Sequence, residues 1–153
     1  MQIIKVTVSE DIQLIKELFL EYAAYLNSDL SFQNFQQELD SLPGAYSEPT
    51  GCLLLAKENR NAGGCVALRC ITSEICEMKR LYVRPEYRGQ GVGILLSNNI
   101  IAEARSLGYQ KMRLDTLDSL KEAVQLYRRL GFYEIEPYRF NPLPGAIYME
   151  LNL

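Results

Sequence analysis

With 153 residues the chain forms a single domain over residues 1–153, large enough to bury about 70% of the surface its unfolded form would expose. Apolar residues make up 48% of it, yet no run approaches the ~20 consecutive apolar residues of a membrane span. The N-terminus, Met1-Gln2-Ile3-Ile4-Lys5-Val6, also lacks the basic-then-apolar order of a signal peptide. A net charge of −3 argues against a nucleic-acid partner and suits a cationic amine substrate; no membrane partner is expected, and four cysteines that read as reduced thiols fit a cytoplasmic protein.

Residues 2–8 alternate as a strand, and Ser9 reads as the N-cap of a helix to about Leu26, with Glu10 and Asp11 at its positive end. Ile12, Ile15, Leu18, Phe19 and Tyr22 share the face that packs on a sheet. Asn27-Ser28-Asp29 breaks this helix; Ser31 caps a second, holding Phe32, Phe35 and Leu39 and ending at Pro43-Gly44. Cys52-Leu53-Leu54-Leu55-Ala56 is unbroken in its apolarity and reads as a fully buried strand. Asn61-Ala62-Gly63-Gly64 is a turn into the next strand, Cys65 to Ile71, and Glu74 to Val83 is a long one. Strand periodicity puts Glu77, Lys79, Leu81 and Val83 on one face, with Cys76, Met78, Arg80 and Tyr82 on the other. Lys111 to Thr116 alternates as a short strand, and Ala123 to Phe132 is an amphipathic helix stopped by Gly131. Asn141-Pro142-Leu143-Pro144-Gly145 is a rigid turn before a last strand, Ala146 to Leu151. The order β-α-α-β-β-β-α-β-α-β-β predicts an α/β fold: a mixed sheet with helices on both faces. Cys52, Cys65, Cys70 and Cys76 lie in apolar strand-like runs with no C-x-x-C pair, so they read as buried reduced thiols and no metal site is expected.

The most informative stretch runs from Leu81 to Gly93, where a strand ends at Pro85 and Arg88-Gly89-Gln90-Gly91-Val92-Gly93 leads into an apolar helix. Alternate glycines remove Cβ atoms just where backbone N–H groups emerge from a helix N-terminus, a place suited to a phosphate or pyrophosphate. A dinucleotide fingerprint fails because its third glycine would fall on Ile94, and a P-loop fails because Gly93 is followed by Ile94-Leu95. What remains is Arg-x-x-Gly-x-Gly at Arg88, Gly91 and Gly93. About thirty residues on comes Ala-x-x-Leu-Tyr-x-x-Leu-Gly-Phe, Ala123 to Phe132. The two motifs in this order resemble the GCN5-related N-acetyltransferase (GNAT) superfamily, across nearly the whole chain.

That resemblance implies an acyl-CoA N-acyltransferase fold in which the strand at 75–83 and that at 111–116 splay apart, with acetyl-CoA as cosubstrate lying between them. It implies Arg88, Gly89, Gln90, Gly91, Val92 and Gly93 for the pyrophosphate, and the backbone of Leu81, Tyr82 and Val83 for the pantetheine arm. Many relatives carry asparagine three residues before the alanine of the second motif; here that residue is Leu120, and Ser119 is the substitute polar contact. Tyr127 takes the place of a tyrosine beside the CoA sulfur, where a phenol can protonate a leaving thiolate; its other reading is a filler between helix and sheet. The chain has no histidine, so the commonest general base is excluded. Glu77, on the strand leading to the acetyl position, is the candidate base, or else the partner of a nearby basic side chain. Acyl transfer through Cys76 is disfavoured, since no histidine can activate it. For the acceptor, Tyr22, Tyr25, Phe32, Tyr46, Tyr133, Tyr138, Arg139, Phe140 and Asn141 are candidates, fitting a small amine that carries a carboxylate. Alternatives are a non-catalytic acyl-CoA sensor and a protein lysine or N-terminal acetyltransferase. Edge strands near the C-terminus would pair two copies in a homodimer.

Overall fold

The computed structural model describes residues 1–26, 30–31 and 34–153; the predicted break at Asn27-Ser28-Asp29 and the candidate Phe32 lie outside them. Seven strands form one sheet: β1 (Gln2–Lys5), β2 (Cys52–Glu58), β3 (Asn61–Cys70), β4 (Ile75–Val83), β5 (Lys111–Leu117), β6 (Tyr133–Ile135) and β7 (Ala146–Asn152). Their order is β1-β2-β3-β4-β5-β7-β6, antiparallel except where β4 meets β5. The helices are α1 (Ser9–Leu26), α2 (Phe35–Ser41), α3 (Val92–Ser106) and α4 (Lys121–Leu130). Among the described residues no helix is long and apolar enough to cross a membrane.

Two apolar layers flank the sheet. On one face α1 buries Ile15, Leu18 and Phe19 against Leu53, Leu55, Cys65 and Ala67, with Leu39 of α2 and Tyr46 alongside. On the other, Leu96, Ile100 and Ala104 of α3 and Tyr127 of α4 pack on Val66, Leu68, Met78, Leu114 and Met149. Burying one such side chain contributes about 1.5–3 kcal/mol, which is why three or four per helix suffice to dock it. The predicted interior face of α1 is the observed one.

Several local readings change. In α1 the first bond is donated by Ile12 N–H to the carbonyl of Val8 (3.1 Å), one residue ahead of the expected Ser9 cap. Asn34, in the left-handed region at φ 54°, occupies the N-cap of α2 in place of Ser31. The turn between β2 and β3 falls earlier than predicted, with Asn59 at φ 56°, and Gly63 and Gly64 lie inside β3. They are glycines because of crowding: a Cβ on Gly64 would stand 2.6 Å from the carbonyl oxygen of Tyr82. Cys70 is exposed at the end of β3, so only Cys52, Cys65 and Cys76 are buried thiols; all four are free.

The largest correction lies in β4. Ala67 pairs with Lys79 and Cys65 with Tyr82, so Arg80 and Leu81 together face Val66 in a β-bulge. Arg80 sits at φ 61°, a conformation that costs a non-glycine residue about 1–2 kcal/mol. The extra residue reverses the alternation. Leu81 and Val83 therefore join Cys76 and Met78 on the α3 face, and Arg80 and Tyr82 point toward α1 and α2.

Candidate active site

The parallel ladder between β4 and β5 has only three rungs, Ile75↔Lys111, Cys76↔Met112 and Glu77↔Arg113. Beyond Glu77 and Arg113 the strands part. Between them opens a cavity of about 640 Å³, bordered by Met78 to Val83 on one side and Leu114 to Leu117 on the other. Its length joins three regions: Arg88, Gly89 and Gly91 to Ile94 of the loop (Gln90 does not border it), the start of α4 with Ser119, Ala123 and Tyr127, and a wall of Tyr22, Tyr25, Asn141 and Leu143.

At the loop end, Gly89 (φ 76°) and Gly91 (φ 81°) hold left-handed conformations with nothing within 4 Å of where a Cβ would be. Gly91 is the N-cap of α3 and offers no side chain; the helix closes through Leu95 N–H to its carbonyl at 3.0 Å. The first amides of α3 therefore lack intrahelical acceptors and sit at the positive end of the helix dipole. Arg88 donates from Nε to the carbonyl of Val83 (2.9 Å) and lays its guanidinium over the ring of Tyr25, 4.6 Å from its centre. Gln90 Nε2 ties back to the carbonyl of Glu86 at 3.1 Å. Ser119 borders the cavity but caps nothing, and Leu120 holds the N-cap of α4 without a side-chain bond.

Tyr127 reaches the cavity from α4, its ring edge-on to Phe132 at 5.7 Å. Burial pushes its phenol well above the usual value, so it keeps its proton at neutral pH.

Glu77 is fully buried. Arg69 Nε (2.7 Å), Arg139 Nη1 (2.8 Å) and Tyr138 Oη (2.6 Å) all donate to its carboxylate. Although burial raises its proton affinity, Lys79, Arg139, the Tyr138 hydrogen bond and Arg69 together hold Glu77 below the ordinary carboxylate range. Glu77 is thus in the ion-paired arrangement that was the other reading of this residue, and it is not among the residues bordering the cavity. Tyr138 and Arg139, expected at the acceptor, are tied to Glu77. Tyr46 is core, and Tyr133 and Phe140 are exposed. Tyr22, Tyr25 and Asn141 do border the cavity.

Sequence reasoning missed Asp115. It borders the cavity from β5, and one carboxylate oxygen accepts from Asn141 Nδ2 at 2.9 Å. Its own signal was a lone acid in an apolar alternating strand, Met112-Arg113-Leu114-Asp115-Thr116. Lys79 and Arg80 also border the cavity, and Arg80 is committed: Nε and Nη2 bind Glu38 of α2 at 3.0 Å each. Burial pushes the Cys76 thiol up to about 12, so it carries almost no thiolate for acyl transfer. No group of three metal-ligating side chains occurs among the described residues.

A mixed sheet opened between its fourth and fifth strands, with a glycine-rich helix start at the end of the opening, defines an acyl-CoA N-acyltransferase. The chain belongs to the acetyltransferase (GNAT) family, whose model matches residues 12–132, and it is an N-acetyltransferase. It is 45% identical over 150 residues to an uncharacterized N-acetyltransferase of Schizosaccharomyces pombe, covering 97% of this chain and 92% of the relative. An acetyltransferase from Streptococcus agalactiae superposes with a TM-score of 0.81 at 20% identity, over 99% of this chain and 98% of its own. The PaiA N-acetyltransferase from Thermoplasma acidophilum, in complex with coenzyme A, gives 0.75 at 19% identity and full coverage of both chains.

Proposed function

We propose that the chain transfers the acetyl group of acetyl-CoA to a primary amine of a small, amino-acid-like acceptor by direct attack in a ternary complex. The observation that carries this reading is the continuous cavity linking the uncapped start of α3, the unpaired edges of β4 and β5 and the Tyr127 ring. A structural relative in complex with coenzyme A supports the nature of the donor. The pyrophosphate lies on Arg88 to Gly93, and the pantetheine arm pairs with the backbone of Leu81, Tyr82 and Val83 as an added strand. Ser119 supplies a further polar contact.

The acceptor enters between Tyr22, Tyr25 and Asn141, where Asp115 attracts an ammonium. The amine must lose a proton before its nitrogen can attack, since an aliphatic ammonium has a pKa near 10. In this reading water takes that proton, while Asp115 steadies the charge. Glu77 acts as a positioning residue, because its oxygens are spent on Arg69, Arg139 and Tyr138. As the tetrahedral intermediate collapses the C–S bond breaks, and Tyr127 donates its proton to the departing thiolate.

Release of CoA thiol against a panel of amines, amino acids, polyamines and peptides tests this. Tyr127→Phe should keep acetyl-CoA affinity and lower turnover by about 10²–10⁴. Turnover within twofold of the parent would remove Tyr127 from the chemistry. Tight acetyl-CoA binding without turnover on the whole panel would favour a sensor.

A further inference from the structure

The apex of the opening holds an amine that the proposed reaction does not use. The β4–β5 ladder ends at Glu77↔Arg113, and Lys79 is the next residue of β4 on the α1 face, opposite Ala67. It thus stands at the apex where the strands part. Only 7% exposed, it borders the cavity. An arm anchored at Arg88 to Gly93 and laid along β4 enters beside Val83 and points its acyl end at this apex, roughly 13 Å of strand away at about 3.3 Å per residue.

We propose that Lys79 is a self-acetylation site: with acetyl-CoA bound and no acceptor present, its Nζ takes the acetyl group. The proposal rests on the reading of the cavity as the acetyl-CoA site. The Nζ lone pair attacks the thioester carbonyl, an N–C bond forms and the C–S bond breaks. CoA departs as the thiolate and gains a proton, while Nζ loses one to water. The net change is a lysine amine plus acetyl-CoA giving a lysine amide plus CoA thiol, with no oxidant or further reactant.

The surroundings prepare the amine. Burial and the neighbouring Arg80 of the same strand lower Lys79 to about 7, with Arg139 from the segment before β7 acting in the same direction. Glu77 on its own strand and Asp115 on β5 oppose them. At neutral pH much of the side chain is the uncharged nucleophile. Once acetylated it becomes a neutral amide filling the acceptor end, so the modified enzyme would exclude its acceptor. Acceptor bound first would shield Lys79 from the thioester.

The test needs no knowledge of the acceptor. The protein is incubated with acetyl-CoA alone at about pH 6 and about pH 8, and acetylated lysines are mapped by mass spectrometry. A heat-unfolded sample and the K79R and Y127F variants run alongside, and calorimetry reports acetyl-CoA binding. The expected result is one acetyl on Lys79, formed faster than on the exposed Lys121 and faster than in the unfolded chain. Its rate should rise about tenfold between the two pH values, following the neutral fraction. K79R should lack the modification and Y127F should form it more slowly. Bound acetyl-CoA with Lys79 unmodified, or modified no faster than Lys121, overturns the proposal. Failure to bind acetyl-CoA at all overturns the donor assignment as well, so the two failures are told apart.

Discussion

Two side chains show how the sheet face toward α1 tolerates charge. Arg80 is 4% exposed, bidentate to Glu38 and 5.2 Å from the centre of the Phe35 ring. Glu38 is itself mostly covered, with 15% of its side chain exposed. Removing one partner of a buried pair strands the other, so Arg80→Met should destabilise the protein by about 3–5 kcal/mol, read from urea unfolding. Glu77 makes a pH-dependent contribution. Its folded-state proton affinity is depressed, so its stabilisation is present above the ordinary carboxylate value of about 4.3 and is lost as pH falls through the lower folded value. Unfolding midpoints measured from about pH 6 down to about pH 3 should therefore fall steeply for the parent and less steeply for Glu77→Gln. Equal slopes would mean that other carboxylates, such as Glu150, dominate acid unfolding.

Among the elements, the turn into α3 and the bulge in β4 impose different demands. Gly91 needs φ 81° and an open surround, so Gly91→Val should leave a folded protein, with the helix start mis-set and acetyl-CoA affinity strongly reduced in calorimetry. Gly64 needs lack of bulk: Gly64→Ala would press on the Tyr82 carbonyl at 2.6 Å and on Leu96 at 3.1 Å, and should lower the melting temperature. Element order, the buried face of α1 and the glycine-rich helix start were legible in the sequence because each rests on local periodicity or turn chemistry. The bulge was not. It depends on how β3 and β4 register across the sheet, and nothing in Glu77-Met78-Lys79-Arg80-Leu81 marks an extra residue. That one slip misassigned Arg80, Leu81, Tyr82 and Val83. Asp115 escaped for a related reason: a single acid in a strand gains meaning only when β4 moves away and Asn141 comes round to it. Glu77 was legible as a charged residue in a buried strand, but its partners at 138 and 139 come from over sixty residues away.

At the scale of the molecule, the sheet is two unequal panels, β1 to β4 and β5 to β7, hinged on three parallel rungs. Each panel has its own antiparallel ladders, whereas the seam between them is open for most of its length. A donor paired along Leu81 to Val83 would work as a removable eighth strand, closing the seam from the inside. Its departure would then cost the protein part of its architecture, and enzyme and cosubstrate would melt as one body. Acetyl-CoA at a hundred times its dissociation constant should add about 2.7 kcal/mol to the unfolding free energy. Beyond Glu77 and Arg113, the amides of β4 and β5 that point into the seam, rather than toward β3 or β7, should exchange hydrogen faster in the free protein than in the complex, while those of β2 and β3 stay unchanged. The gap in the sheet is thus a place the chain leaves for a molecule it does not encode.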